Sequence, residues 1–139
     1  MKKYLFMVST VVLLASIVLS GCQSTSTTTQ NRPQNVFLQS TIVEFANVTY
    51  EQTINRTKGV SAVTVGWLFH NIAGKMISAR IDVRFYTKQN NLLYNTTRWI
   101  EYMPAGYTER FFSPGANKAT FDGAGVNLVD HVVITVTEM

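Results

Sequence analysis

The sequence predicts an all-β domain, an antiparallel sandwich of about seven strands, and three observations support this fold class. Residues 77–86 alternate without a break, and their apolar positions are Ile77, Ala79, Ile81, Val83 and Phe85. Successive side chains of a strand point to opposite faces, so this stretch buries one face and leaves the other in water. Turn residues recur about every 8 to 12 positions, and no helical period of useful length follows residue 21. A small closed barrel is the alternative that this pattern leaves open.

The first 21 residues have the organisation of a bacterial export signal, with a positive start and an apolar core. Lys2 and Lys3 precede an almost wholly apolar run at 5–18, which is short for a membrane-spanning helix of about 20 residues. The run meets Leu-Ser-Gly-Cys at 19–22, which resembles the lipobox read by the lipoprotein signal peptidase. This resemblance implies cleavage after Gly21, with a diacylglycerol thioether and an N-acyl chain on the new first residue. An uncleaved membrane anchor or a plain secretory signal is the alternative.

Cys22, the predicted lipidation site, is the only cysteine in the chain, and its place in the lipobox argues against coincidence. Once it carries lipid no thiol remains, so the exported domain has no disulfide available. Gln23 follows the cysteine, which resembles the pattern of lipoproteins passed on to the outer membrane. We therefore expect a protein of the bacterial cell envelope, lipid-anchored in the outer membrane and facing the periplasm, with the inner membrane as the alternative.

Residues 22–35 are predicted to be the lipidated cysteine and a flexible tether, and residues 36–139 are predicted to be the β-sandwich domain. The 12 residues at 23–34 are too polar to order themselves and would span about 17 to 21 Å. Removal of the signal leaves 10 basic against 8 acidic residues, a net charge of roughly +2. The basic residues are scattered singly, which excludes the concentrated footprint of a nucleic-acid-binding protein.

Runs of β-branched and aromatic residues place the individual strands. In chain order they are a pair within 36–50, then 60–70, 77–86, 92–102, 107–112, a short strand at 119–121, and 129–137. Polar, glycine- and proline-containing segments predict turns at 53–59, 71–74, 88–91, 103–106, 113–117 and 122–125. The alternation slips near Ala46 and Asn47, which indicates a bend or bulge. The closing strand is expected to turn Val132, Ile134 and Val136 inward. The strand at 60–70 has two faces, Val63, Val65, Trp67 and Phe69 on one and Ala62, Thr64, Gly66, Leu68 and His70 on the other.

The block from Trp67 to Phe121 resembles the YcfL-like bacterial lipoproteins of unknown function. The matching residues are Asn71 at a strand end, Arg84-Phe85-Tyr86, Trp99, Pro104-Ala105-Gly106 and the run 113–121. The portion 71–106 is also similar to the FxLYD-type sandwich module of exported prokaryotic proteins. Both families usually carry Asp-x-x-Gly after the aromatic pair, where this chain has Thr-Lys-Gln-Asn-Asn at 87–91. The resemblance implies an immunoglobulin-like sandwich and an envelope location, and it supplies no catalytic residue.

The residues that carry chemistry in enzymes form no recognisable set here. Asp130 and His131 are neighbours in a predicted strand, so they should face opposite sides and not pair. Serines lack a nucleophile-elbow context, and no cluster has the spacing of metal ligands. Glu101 and Glu109 flank the turn at 104–106, but the strand pattern predicts no cleft such as a glycosidase needs. We expect no enzyme, no metal and no cofactor beyond the covalent lipid on Cys22.

The candidate interaction surface is the outward row Arg80, Asp82 and Arg84, together with the aromatics Tyr86 and Trp99. Tyrosine and tryptophan at a surface often anchor interfaces. The alternative is a solvated sheet face whose charges compensate one another within the strand. The expected function is a non-catalytic binding or accessory module for an envelope protein or cell-wall component, with the lipid anchor as its membrane contact. The alternative function is a structural, self-assembling envelope lipoprotein with no specific ligand.

Overall fold

The computed structural model describes residues 33–139, so the predicted signal, its cleavage site at Gly21 and Cys22, and most of the tether lie outside the described residues. The strands are β1 Val36–Gln39, β2 Val43–Asn55, β3 Gly59–Asn71, β4 Ile77–Tyr86, β5 Leu92–Met103, β6 Lys118–Phe121 and β7 His131–Glu138. One turn of 3-10 helix, Val126–Leu128, precedes β7. Within residues 33–139, no helix has the length and apolar character to cross a membrane.

The strands form two sheets, and the all-β sandwich predicted from the sequence is confirmed. One sheet has the order β1-β7-β4-β5 and the other the order β2-β3-β6. Every pairing is antiparallel except that of β1 with β7, which is parallel. A constant-type immunoglobulin domain groups its first, second, fourth and fifth strands against the others. The likeness to immunoglobulins therefore lies in the two-sheet architecture and not in the strand order.

Strand β4 lies in the middle of its sheet, between β7 and β5, as its alternation predicts. Its five predicted inward side chains are all buried, and so are those predicted for β7. Of the two faces of β3, the one with Val63, Val65, Trp67 and Phe69 is buried. They form one hydrophobic core between the two sheets. Phe85 of β4 crosses this core, with its ring centroid 5.9 Å from Phe121 of β6 and 5.8 Å from Tyr94 of β5. The apolar alternation thus fixes both the register and the layer that each strand occupies.

The hairpin of β2 and β3 is longer than predicted. The segment 53–59 was expected to be a turn, but β2 continues to Asn55 and β3 begins at Gly59. The side chains at this end are exposed, and backbone pairing across the hairpin does not require apolar residues. The bend expected near Ala46 and Asn47 is confirmed as a register shift between Phe45 and Asn47.

The strand predicted at 107–112 is wrong. This segment touches the end of β3 through a single bridge between His70 and Thr108, and its other residues form turns and loop. Short strand β6 pairs only with the middle of β3, so the remaining edge of β3 is covered by the loop 107–117. The Trp67 N–H donates to the Asn117 carbonyl at 3.0 Å in place of a strand partner. Loop contacts of this kind satisfy the backbone groups that an edge strand would leave open.

Candidate functional site

The row of charges predicted as an interaction surface lies on the outward face of β4, where its members bind one another. Asp82 Oδ2 accepts hydrogen bonds from Arg80 Nη2 at 2.5 Å and Nε at 3.0 Å, and Arg84 Nη2 lies 3.8 Å away. The Thr97 hydroxyl donates to Asp82 Oδ1 at 2.9 Å. The hydrogen bond from Arg80 is the main cause that holds the pKa of Asp82 below its usual value. The charges of the row are therefore paired with one another, although two arginines against one aspartate leave a net formal charge of +1.

Tyr86 and Trp99, the aromatics predicted for the same surface, lie far apart on it. Tyr86 stacks on His131 with ring centroids 5.3 Å apart and an interplanar angle of 14°. Trp99 sits opposite Arg80 on β4, six positions from Tyr86. At about 3.3 Å per residue this places the two aromatics roughly 20 Å apart. They do not form one patch.

Asp130 and His131 do pair, contrary to the prediction, with His131 Nδ1 3.0 Å from Asp130 Oδ2. Asp130 lies before β7 begins, so the alternation of a strand does not apply to it. The pair lines an open depression of about 470 Å³ that has no serine, threonine or cysteine among its lining residues. The other histidine, His70, has its Nδ1 2.7 Å from the Thr108 hydroxyl. The Asp130–His131 depression supplies no hydroxyl or thiol nucleophile, and the His70–Thr108 contact lies on the exposed surface.

A different feature of β5 produces a concave surface. Ile77 pairs with Met103 and Ala79 with Ile100, so Glu101 and Tyr102 together oppose Ser78 alone. This is a β-bulge, a device that re-aims side chains at the edge of a sheet. Tyr102 has a φ of 53°, and its N–H reaches the Ser78 hydroxyl oxygen at 3.3 Å. A bulky residue in this left-handed region costs of order 1 to 3 kcal/mol, which marks the bulge as a strained site.

We call the space beside this bulge the bulge cleft. It has a volume of about 330 Å³. Its lining residues are Trp99, Ile100, Glu101, Tyr102, Met103, Pro104, Tyr107, Glu109 and Ala116. Its three large aromatics remain open to solvent, with Trp99 53%, Tyr102 71% and Tyr107 49% exposed. Exposed aromatics converging on a concavity are typical of a binding surface.

Glu109 forms part of the wall between the bulge cleft and β3. Its Oε2 accepts the Phe69 N–H at 2.8 Å, and its own N–H donates to the Phe69 carbonyl at 2.9 Å. Burial raises the pKa of Glu109, while the hydrogen bonds from the Phe69 N–H and the Asn117 side chain act in the opposite direction. Within the described part of the chain, Glu101 and Glu109 have no salt bridge.

The expectation that no cleft would form between Glu101 and Glu109 is therefore wrong. Both glutamates line the bulge cleft, because the loop 107–117 folds against the bulge of β5 and does not continue as a strand. The sequence signal was the placement of the two glutamates on either side of the turn at 104–106. The bulge that brings Tyr102 to the same wall has no such signal, since a residue with positive φ is usually glycine.

Asn71 fixes the position of the backbone beside the bulge cleft. Its buried side-chain amide donates from Nδ2 to three carbonyl oxygens, those of Lys75 at 2.8 Å, Met103 at 3.0 Å and Pro104 at 2.9 Å. Its Oδ1 accepts the Ala73 N–H at 2.9 Å. One side chain thus ties the β3–β4 turn to the end of β5 and positions the turn that borders the bulge cleft. The sequence indicated Asn71 only as a residue at a strand end.

The pH dependence of stability should report on Glu109. Its pKa in the folded protein lies above the unfolded value, so its favourable contribution is complete below the unfolded pKa and is lost as pH rises through the folded pKa. Glu109→Gln keeps an oxygen for the Phe69 N–H but carries no charge. We expect its melting temperature, relative to the wild type, to rise as the pH increases above the ordinary glutamate pKa of about 4.3. The exposed Glu51→Gln is the matched control, and a parallel Glu109→Gln curve would contradict the assignment.

Comparison with known proteins gives no match to a family model, to a curated protein or to a solved structure. The likeness to the YcfL-like lipoproteins and the FxLYD-type module stays a prediction.

Proposed function

We propose that this protein is a lipid-anchored, non-catalytic binding module of the bacterial cell envelope that engages its partner through the bulge cleft. The observation that carries the proposal is the convergence of Trp99, Tyr102 and Tyr107, all exposed, on one concave site beside a strained bulge. None of these three residues belongs to the hydrophobic core, and packing of the core does not require their rings to lie at the surface of the cleft. A partner that covers these rings would remove their apolar surface from water, which favours association.

The anchor in this proposal is the lipid on Cys22. The lipobox at 19–22 and the polar tether behind it support a domain held just off the periplasmic face of the outer membrane. Cys22→Ala should abolish incorporation of labelled palmitate and leave the signal uncleaved, because a single sulfur atom carries the diacylglycerol on which processing depends. Ser24→Ala, two residues further on, should change neither readout. Unchanged palmitate labelling and processing of Cys22→Ala would contradict the anchor.

The binding role is tested in cells with a photo-crosslinking amino acid at position 107, on the wall of the bulge cleft. We expect a discrete crosslinked band in envelopes, lost when Trp99→Ala and Tyr102→Gly are added. Glycine suits the positive φ at position 102, so the second substitution removes the ring without disturbing the bulge. Phe111→Ala, at an 84% exposed aromatic outside the cleft lining, is the matched control. Absence of a discrete band, or a band that survives both cleft substitutions, would contradict the role.

Self-assembly without a specific ligand is a second candidate, favoured by the position of β5. This 12-residue strand forms an outer edge of the four-stranded sheet and is available to pair with a second copy. Sedimentation of the full chain in a neutral detergent distinguishes the two candidates. A monomer over the whole concentration range would remove self-assembly, whereas a concentration-dependent dimer that Trp99→Ala leaves intact would favour it over the cleft.

A further inference from the structure

We infer that the bulge cleft accepts a cationic side chain, the ammonium group of a lysine or the guanidinium group of an arginine carried on a peptide segment of the partner. This inference rests on the proposed binding function and specifies the chemistry of its ligand. It is carried by charge complementarity, by the aromatic walls and by the size of the site.

The charge of the bulge cleft is unbalanced. Its lining includes the carboxylates of Glu101 and Glu109 and no lysine, arginine or histidine. Arg80 is the register partner of Trp99 on the neighbouring strand β4, but its guanidinium is bound to Asp82. The cleft therefore presents two carboxylates to solvent with no cation of the described residues in a salt bridge to either.

The aromatic walls suit the same ligand. A cation placed over the face of a tryptophan or tyrosine ring is attracted by the ring quadrupole, and arginine also stacks flat on such rings. Trp99, Tyr102 and Tyr107 supply three such rings around the two carboxylates. A neutral apolar ligand would use the rings but would desolvate the two carboxylates further without supplying an opposite charge.

The half-buried position of Glu109 adds to the attraction. Electrostatic interactions strengthen where water is partly excluded, so a cation gains more from this carboxylate than from one on an open surface. The cavity of about 330 Å³ is at the small end of ligand sites, which matches one or two side chains of an extended peptide. A cation would also favour the ionised form of Glu109, whose pKa burial raises.

The test uses the full chain in a neutral detergent with ¹⁵N-labelled tryptophan. The chain has two tryptophans, of which Trp67 is completely buried and Trp99 lines the cleft, so one indole signal is the probe and the other an internal control for folding. The ligand probe is acetylated, amidated tri-lysine. The comparison ligands are the same peptide with every lysine side chain acetylated and the neutral trisaccharide of N-acetylglucosamine.

We expect tri-lysine to shift the Trp99 signal saturably, with little effect on Trp67, and to bind more weakly as salt is added. The pair Glu101→Gln and Glu109→Gln should weaken binding at least about tenfold, which is the loss of one to two charge-assisted contacts. The matched pair Glu44→Gln and Glu51→Gln, exposed on the other sheet, should not. If the cleft pair disturbs the Trp67 signal, Glu101→Gln alone is used, because Glu101 is exposed and makes no hydrogen bond to β3.

Three outcomes would overturn the inference: no saturable shift with tri-lysine, equal binding of the acetylated peptide or the trisaccharide, or full affinity after the glutamine substitutions. The crosslinking experiment separates this failure from that of the binding role. If the crosslink at position 107 depends on Trp99 and Tyr102 but survives the glutamine pair, the cleft is a binding site and its ligand is not a cation. If the crosslink is absent as well, both proposals fall.

Discussion

Replacement of Phe85 by alanine is expected to lower the free energy of unfolding by about 3 to 5 kcal/mol, the range for large aromatic truncations in a core. Phe85 is completely buried on the central strand β4 and contacts Tyr94 and Phe121, which stack on each other with centroids 5.1 Å apart. Because Phe121 belongs to the opposite sheet, the cavity would open where the two layers meet. The surrounding strands are held by their backbone ladders and can collapse into it only in part.

Urea unfolding followed by intrinsic fluorescence measures this change, and the chain offers a matched control. Phe111→Ala removes the same ring from a site that is 84% exposed, so its effect should stay within about 0.5 kcal/mol. Equal unfolding midpoints of Phe85→Ala and Phe111→Ala would contradict the prediction that the contact of Phe85 with Phe121 stabilises the packing of the two sheets.

Asn71→Ala is expected to destabilise the domain by about 3 to 4 kcal/mol without removing any large apolar group. The substitution deletes three donated hydrogen bonds and one accepted one, and it leaves the carbonyls of Met103 and Pro104 without that partner. The Met103 carbonyl lies in a buried contact, and the loss of its partner costs about 1 to 3 kcal/mol, whereas the Pro104 carbonyl keeps the Tyr107 N–H at 3.2 Å. The other lost hydrogen bonds, at about 0.5 to 1.5 kcal/mol each, make up the rest of the expected sum. The turn bordering the bulge cleft should loosen at the same time.

Thermal unfolding measures the stability change, and the crosslink at position 107 reports the loosening of the cleft. Asn95→Ala is the matched control, because Asn95 is exposed on the outward face of β5. We expect Asn95→Ala to behave as the wild type in both measurements. Wild-type stability and an unchanged crosslink in Asn71→Ala would contradict the inference that the hydrogen bonds of this side chain hold the end of β5 against β3.

The parts of the fold that the sequence predicted are those whose pattern is local. The apolar face of 77–86 and the inward residues of β7 occupy the core as expected, because a period of two is itself the geometry of a strand. The bend near Ala46 was visible for the same reason, since a bulge interrupts that period. The parallel pairing of β1 with β7 had no such signal, because it joins the two ends of the domain.

The predictions that failed concern features that depend on side-chain contacts outside the regular strand pattern. The segment 107–112 has the composition of a strand, but the Glu109 carboxylate takes the hydrogen bond of the Phe69 N–H that a strand carbonyl would accept. His131 reaches Asp130 because β7 starts two residues later than the pattern suggested, so Asp130 lies outside the strand. Side-chain hydrogen bonds of this kind compete with regular pairing, and sequence periodicity does not register them.

By itself the sequence determined an all-β body, the face of each long strand that is buried and the lipobox cysteine that predicts its anchor. Only the tertiary structure decided that the charged side chains on β4 pair with one another and that Trp99, Tyr102, Glu101 and Glu109 line one cleft. The physical reason is that alternation specifies which way a side chain points relative to its own strand. Where that side chain meets others is fixed by bulges, loops and sheet order, which depend on the whole chain.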